Sequence, residues 1–94
     1  MPIGVLTLHL FIPGCTSLKE KRSNIKPVLA RLHREFNISV AELDRQDMWQ
    51  ESVIGCALLS NDHDYTQRAL QKVVDFTQQS WPELELLEHH IELI

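Results

Sequence analysis

From Ile3 to Ile12 the chain alternates strictly, with Leu6, Leu8, Leu10 and Ile12 on one side and Val5, Thr7, His9 and Phe11 on the other. A period of two predicts a strand, and both of its faces are largely apolar. Pro13-Gly14 ends it as a turn, and Ser17-Leu18-Lys19-Glu20 has the composition of a capping box, which sets the start of a helix at Ser17. Leu18, Ile25, Val28, Leu29, Leu32 and Phe36 then fall within an arc of about 100° at helical spacing, with Leu32 at its centre. That arc faces the core. Pro27 lies well inside the helix and has no N–H for the bond back to Ser23, so a kink or a break into two collinear pieces is expected there.

The chain returns as a second strand over residues 37–44, and Gln46-Asp47-Met48-Trp49-Gln50 forms the connection. Val53 to Leu59 is nearly continuous apolar sequence, which suits a central strand. Ser60-Asn61-Asp62 supplies N-cap chemistry for a second helix, whose Tyr65, Ala69, Leu70, Val73, Val74, Phe76 and Trp81 fill one half of the wheel. Gln67, Arg68, Gln71, Lys72, Asp75 and Gln78 make the other half polar. Trp81-Pro82 stops that helix, and Leu84 to Leu93 is a last strand with Leu86, Leu87, Ile91 and Leu93 spread over both faces.

The order β-α-β-β-α-β with short connections is the split βαβ pattern, an α+β ferredoxin-like sandwich with a four-stranded antiparallel sheet and two helices on one face. The opposite face is left open and carries either Val5 and Phe11 or their apolar neighbours, more hydrophobic than a solvated sheet surface usually is. Self-association as a homodimer is the natural way to cover it. At 94 residues the chain is expected to be a single domain spanning 1–94, since a second core would be too small to hold itself folded.

Composition adds one asymmetry. The formal net charge of −4 combines residues 1–36, with six Lys/Arg against two Asp/Glu, and residues 37–94, with three against eleven. Positive charge is thus concentrated on the first helix: Lys19, Lys21, Arg22, Lys26, Arg31 and Arg34. Such a helix can meet phosphate backbones, although solvated helix faces are often basic too. Most of these charges plot opposite the apolar arc, but Lys21 plots inside it and needs a partner or a path to solvent. The tryptophan loop is the second feature. Trp49 either folds back over the hairpin as a plug or stands out to anchor a partner or stack on a base.

Other chemistries find little support. Five histidines, His9, His33, His63, His89 and His90, lack the ligand spacing of a structural zinc site, and the adjacent pair His89 and His90 points to opposite faces of a strand. No nucleophile elbow, P-loop, dinucleotide fingerprint or Cys-His signature is present, so neither an enzyme nor a cofactor is expected. The sheet itself does not suit RNA recognition, because the strand from Ser52 to Ser60 has no aromatic; RNA, if bound, meets the basic helix and the loops. Cys15 and Cys56 have no CxxC spacing and read as reduced thiols of a cytoplasmic protein. The apolar run from Ile3 to Ile12 is too short to span a bilayer, so no membrane association is expected.

Several segments together resemble the YlxP-like family of small bacterial proteins, a domain family of unknown function. They are Ile12-Pro13-Gly14, Ser17-Leu18-Lys19-Glu20-Lys21-Arg22, Phe36-Asn37-Ile38-Ser39-Val40-Ala41-Glu42, Gln46-Asp47 with Trp49-Gln50, and Ser60-Asn61-Asp62. The resemblance covers nearly the whole chain. It implies a ferredoxin-like fold and a bacterial cytoplasmic protein whose relatives are often encoded near translation and ribosome-maturation factors, and it supplies no catalytic residues. The expected binding residues are therefore Lys19, Lys21, Arg22, Lys26 and Trp49, facing ribosomal RNA or a ribosome-associated protein. The alternative is a protein-interaction module that uses the tryptophan loop and the open sheet face without nucleic acid.

Overall fold

A computed structural model describes residues 2–44 and 48–94. Its elements run β1 (Ile3–Phe11), α1 (Leu18–Glu35), β2 (Ser39–Asp44), β3 (Glu51–Leu59), α2 (His63–Ser80) and β4 (Glu85–Leu93). The sheet order is β2-β3-β1-β4 and every pairing is antiparallel. This is the ferredoxin-like α+β architecture expected from the element order. Alternation assigns the two sheet faces: Leu6, Leu8 and Leu10 of β1 and Ile54, Cys56 and Leu58 of β3 are buried beneath the helices. Ile25, Val28 and Leu32 of α1 and Leu70, Val73 and Val74 of α2 close over them. Val5, Thr7, His9 and Phe11 point the other way and remain only half-buried.

Local chemistry fixes the helix starts. Ser17 caps α1 by accepting the Glu20 N–H at 3.1 Å. The Glu20 carboxylate reaches back to the Thr16 N–H and hydroxyl, both at 2.7 Å, which is the reciprocal capping arrangement displaced by one residue. Those bonds, the backbone one first, hold the Glu20 carboxyl below its usual range. Asp62 caps α2 through the N–H groups of Asp64 and Tyr65. Gly14 turns the chain between β1 and α1 at φ 72°, a conformation that side-chain-bearing residues rarely adopt.

Two sequence expectations are corrected. α1 runs through Pro27 as one helix rather than two pieces. Pro27 and Ser23 lie on the exposed side, where water can serve the Ser23 carbonyl, while buried Ile25 and Val28 anchor both flanks. Tyr65, placed by periodicity on the inner half of α2, is 52% exposed. It belongs to the first turn, ahead of the point where Thr66 and Leu70 meet the sheet.

Two strand irregularities shape the sheet. Leu43 is an extra residue in β2, since Glu42 faces Ile54 and Asp44 faces the next residue, Val53. Leu87 is likewise extra in β4, between the partners of His9 and Leu10. Each is a β-bulge, which bends its strand and re-aims the side chains on either side.

Cys15 and Cys56 are free and buried. Burial pushes the Cys56 thiol up to about 12. The folded state therefore keeps it neutral, and its stabilising contribution is complete below the ordinary thiol value of 9.0 and is lost as pH rises from there toward about 12. Alkaline unfolding of the wild type is expected to begin in that window. In a Cys56→Val variant, followed by circular dichroism against pH, its onset is expected to move higher.

Candidate functional site

The capping of α1 determines which way its cations point. With Ser17 as cap, Lys19, Arg22 and Lys26 fall at i, i+3 and i+7, on one stripe of the helix, and all three are exposed. Ser23 occupies the same stripe, its hydroxyl turned onto the Lys19 carbonyl at 3.0 Å. Lys21 lies on the inner side and is 2% exposed. Its Nζ pairs with Glu42 Oε2 at 3.0 Å, and the same oxygen accepts the hydroxyl of fully buried Ser52 at 2.6 Å. The charge that sequence periodicity placed inside the apolar arc is satisfied by a carboxylate from β2. A buried ammonium needs such a partner, because desolvating it alone would cost several kcal/mol.

This pair forms the floor of a hollow of about 420 Å³ between α1 and β2. Leu18, Ile25 and Leu29 form its apolar wall, and Arg22 and Lys26 stand on its rim. The rim is cationic, while the floor combines one cation with one carboxylate. An anion approaching from solvent thus meets Arg22 and Lys26 first, with Lys19 one turn away. Of the four cations expected to bind, the structure leaves Lys19, Arg22 and Lys26 facing solvent and turns Lys21 inward.

Trp49 is 50% exposed and Met48 is exposed beside it, so the indole does not fold back as a buried plug. Gln46 and Asp47 lie outside the described residues. The loop is tied to the end of β1 by the Ile12 N–H, which donates to the Gln50 carbonyl at 2.8 Å. α1 begins a few residues beyond Ile12, so the tryptophan and the first turns of α1 share one end of the sheet. Sequence alone could not place them together, because the β2–β3 and β1–α1 connections are far apart in the chain.

The open face is divided. Val5, Phe11, Val53, Ala57, Leu59, Ala41 and Leu43 make its apolar part over β1, β3 and β2, and Leu43 lies directly on Gly55, where a side chain would collide with it. Glu88, His90 and Glu92 of β4 line up beside His9, Thr7 and Val5. His9 Nε2 is hydrogen-bonded to Glu51 Oε1 at 2.6 Å. A third cluster stacks Phe36 on Phe76 and Phe76 on Trp81, edge to face, with the Arg31 guanidinium 5.0 Å from the Phe76 ring centre. It staples the end of α1 to α2. Among the described residues, no three His, Cys, Asp or Glu side chains are gathered to hold a metal ion, and no helix is long and apolar enough to cross a membrane.

Comparison with known proteins is consistent with this architecture. A family model described as "Protein of unknown function (DUF503)" matches residues 3–91. The uncharacterized protein YlxP of Bacillus subtilis (strain 168) is 39% identical over 83 residues, covering 88% of this chain and 89% of that protein. Among solved structures, the de novo designed protein Foldit4 has a TM-score of 0.55 at 14% identity and covers 100% of this chain and 97% of its own. A mutant of SnoaB, a cofactor-independent oxygenase from Streptomyces nogalater, has a TM-score of 0.53 at 17% identity, covering 98% and 90%. At such identities the two structural likenesses are of fold alone.

Proposed function

This chain belongs to the DUF503 family, and we propose that it is an accessory binding protein that meets the phosphate backbone of RNA through the outer stripe of α1. The observation that carries the reading is the separation of the cations on that helix. Lys19, Arg22 and Lys26 are displayed to solvent on a protein of net charge −4, while Lys21 is turned into an internal ion pair. Clustered cations on an otherwise acidic surface are the electrostatic footprint of a polyanion partner. Trp49, exposed at the same end, supplies a ring on which an unpaired base can stack. Ribosomal RNA is the candidate that the family resemblance favours.

The second reading, a protein-interaction module, rests on the same exposed Trp49 together with the apolar open face. Salt separates the two. Fluorescence anisotropy with single-stranded and structured RNA is expected to show affinity falling linearly with the logarithm of salt concentration. Each of Lys19→Ala, Arg22→Ala and Lys26→Ala is expected to lower that slope by about 0.7 to 0.9. Trp49→Ala is expected to weaken single-stranded binding by about 1 to 3 kcal/mol. Absence of salt-dependent affinity for every RNA tested transfers the function to the protein-interaction reading.

A further inference from the structure

We propose that the open face of the sheet is the docking surface for a second copy of this chain, which packs on it sheet to sheet about a two-fold axis. The inference is independent of RNA binding, since α1 lies on the other side of the sheet. Three strands of nine residues and one of six, at about 3.3 Å per residue and about 4.8 Å between strands, make a face of about 30 by 19 Å. Two such faces in contact remove on the order of 1,100 Å² from water, above the roughly 1,000 Å² that a specific interface needs.

The face also has the anatomy of an interface. Leu43 and Leu59 are 57% and 59% exposed, and with Val5, Ala57 and Val53 they make an apolar block, set off from Phe11 by the hydrogen-bonded His9 and Glu51. A hollow of about 230 Å³ sits in that block, beside Gly55 and between Leu43 and Ala57. The glutamates of β4 lie along one margin as a polar rim.

Self-complementarity selects a second copy over an unrelated partner. Registers along the sheet put Val5, Ala57 and Glu92 on one level, Thr7, Gly55 and His90 on the next, then His9, Val53 and Glu88, then Phe11, Glu51 and Glu85. A two-fold axis perpendicular to the strands, midway along them, inverts this order. Val5 then faces the partner's Phe11, and Val53 faces the partner's Leu43 where it covers Gly55. On the rim His90 meets the partner's Glu88, a ring N–H against a carboxylate acceptor, while Glu92 and the partner's Glu85 meet at the exposed ends of the row. An isologous interface requires this reciprocity, in which each contact is made twice.

Sedimentation equilibrium of the full chain at micromolar concentration is expected to give a dimer. Ala57→Glu places a carboxylate at an exposed position of β3 within the block, opposite the partner's Glu51 under this axis, and its dimer dissociation constant is expected to rise by about tenfold or more with an unchanged far-ultraviolet spectrum. If Ala57→Glu fails to fold, Ala41→Glu on β2, also exposed and opposite the register position of the partner's Asp44, is the deciding variant. A wild-type monomer overturns the proposal, and so does a dimer of undiminished affinity in a folded variant. RNA anisotropy on the same variant keeps the two readings apart, because the stripe of α1 is untouched.

Discussion

Truncation of Leu32 to alanine is expected to lower the stability of the fold by about 2 to 5 kcal/mol. Leu32 is fully buried at the centre of the apolar arc of α1, between the turns that carry Val28 and Phe36. Removing three carbons there loses their transfer free energy and leaves a void that the rigid sheet beneath cannot fill. A protein of this size has only about 5 to 10 kcal/mol of total stability, so the urea midpoint should fall far while the m-value stays constant. A change under about 0.5 kcal/mol would place Leu32 outside the core and shift the register of the whole helix.

Lys21→Ala is expected to cost about 3 kcal/mol, nearly as much as losing a core leucine. Lys21 is almost completely inside while Glu42 keeps about a fifth of its side chain exposed. The penalty should therefore lie at the low end of the range for breaking buried pairs, because Glu42 can recover some hydration. Lys21→Met combined with Glu42→Gln removes both charges while retaining the stem and the acceptor for Ser52, and should restore stability to within about 1 kcal/mol of wild type. A double-mutant cycle in urea measures the coupling. A coupling near zero would mean that packing of the lysine stem, not its charge, holds α1 to β2. If RNA binding follows the outer stripe, Lys21→Met leaves its salt slope unchanged, whereas Lys26→Ala does not.

Much of the fold was legible in the residues because it rests on local signals. The period-two alternation of β1, the Ser17 cap and the Asp62 cap are each decided within a few positions, and the observed elements begin within about two residues of those signals. What could not be read was what the partners do. Lys21 was visibly misplaced on the helical wheel, but nothing in the chain says that Glu42 stands opposite it. That depends on β2 lying at the edge of the sheet and on the register that sets Glu42 beside Ile54. Trp49 stands exposed beside the end of β1, where the loop is held by the hydrogen bond from Ile12 to Gln50, a contact between distant segments. Pro27 lies in the interior of α1 but on its wet side, where water can serve the freed Ser23 carbonyl, and that exposure cannot be read from the proline itself.

The two bulges have a consequence for how copies of this chain avoid one another. β2 and β4 are the margins of the sheet, and a straight, flat margin invites another strand to add to it, copy after copy. β2 is only six residues long and is bent by Leu43. β4 is bent by Leu87 and studded with Glu85, Glu88, His89, His90 and Glu92. Neither margin offers an unbroken ladder to a newcomer. Open-ended, fibre-forming addition along the sheet is thereby discouraged at both sides.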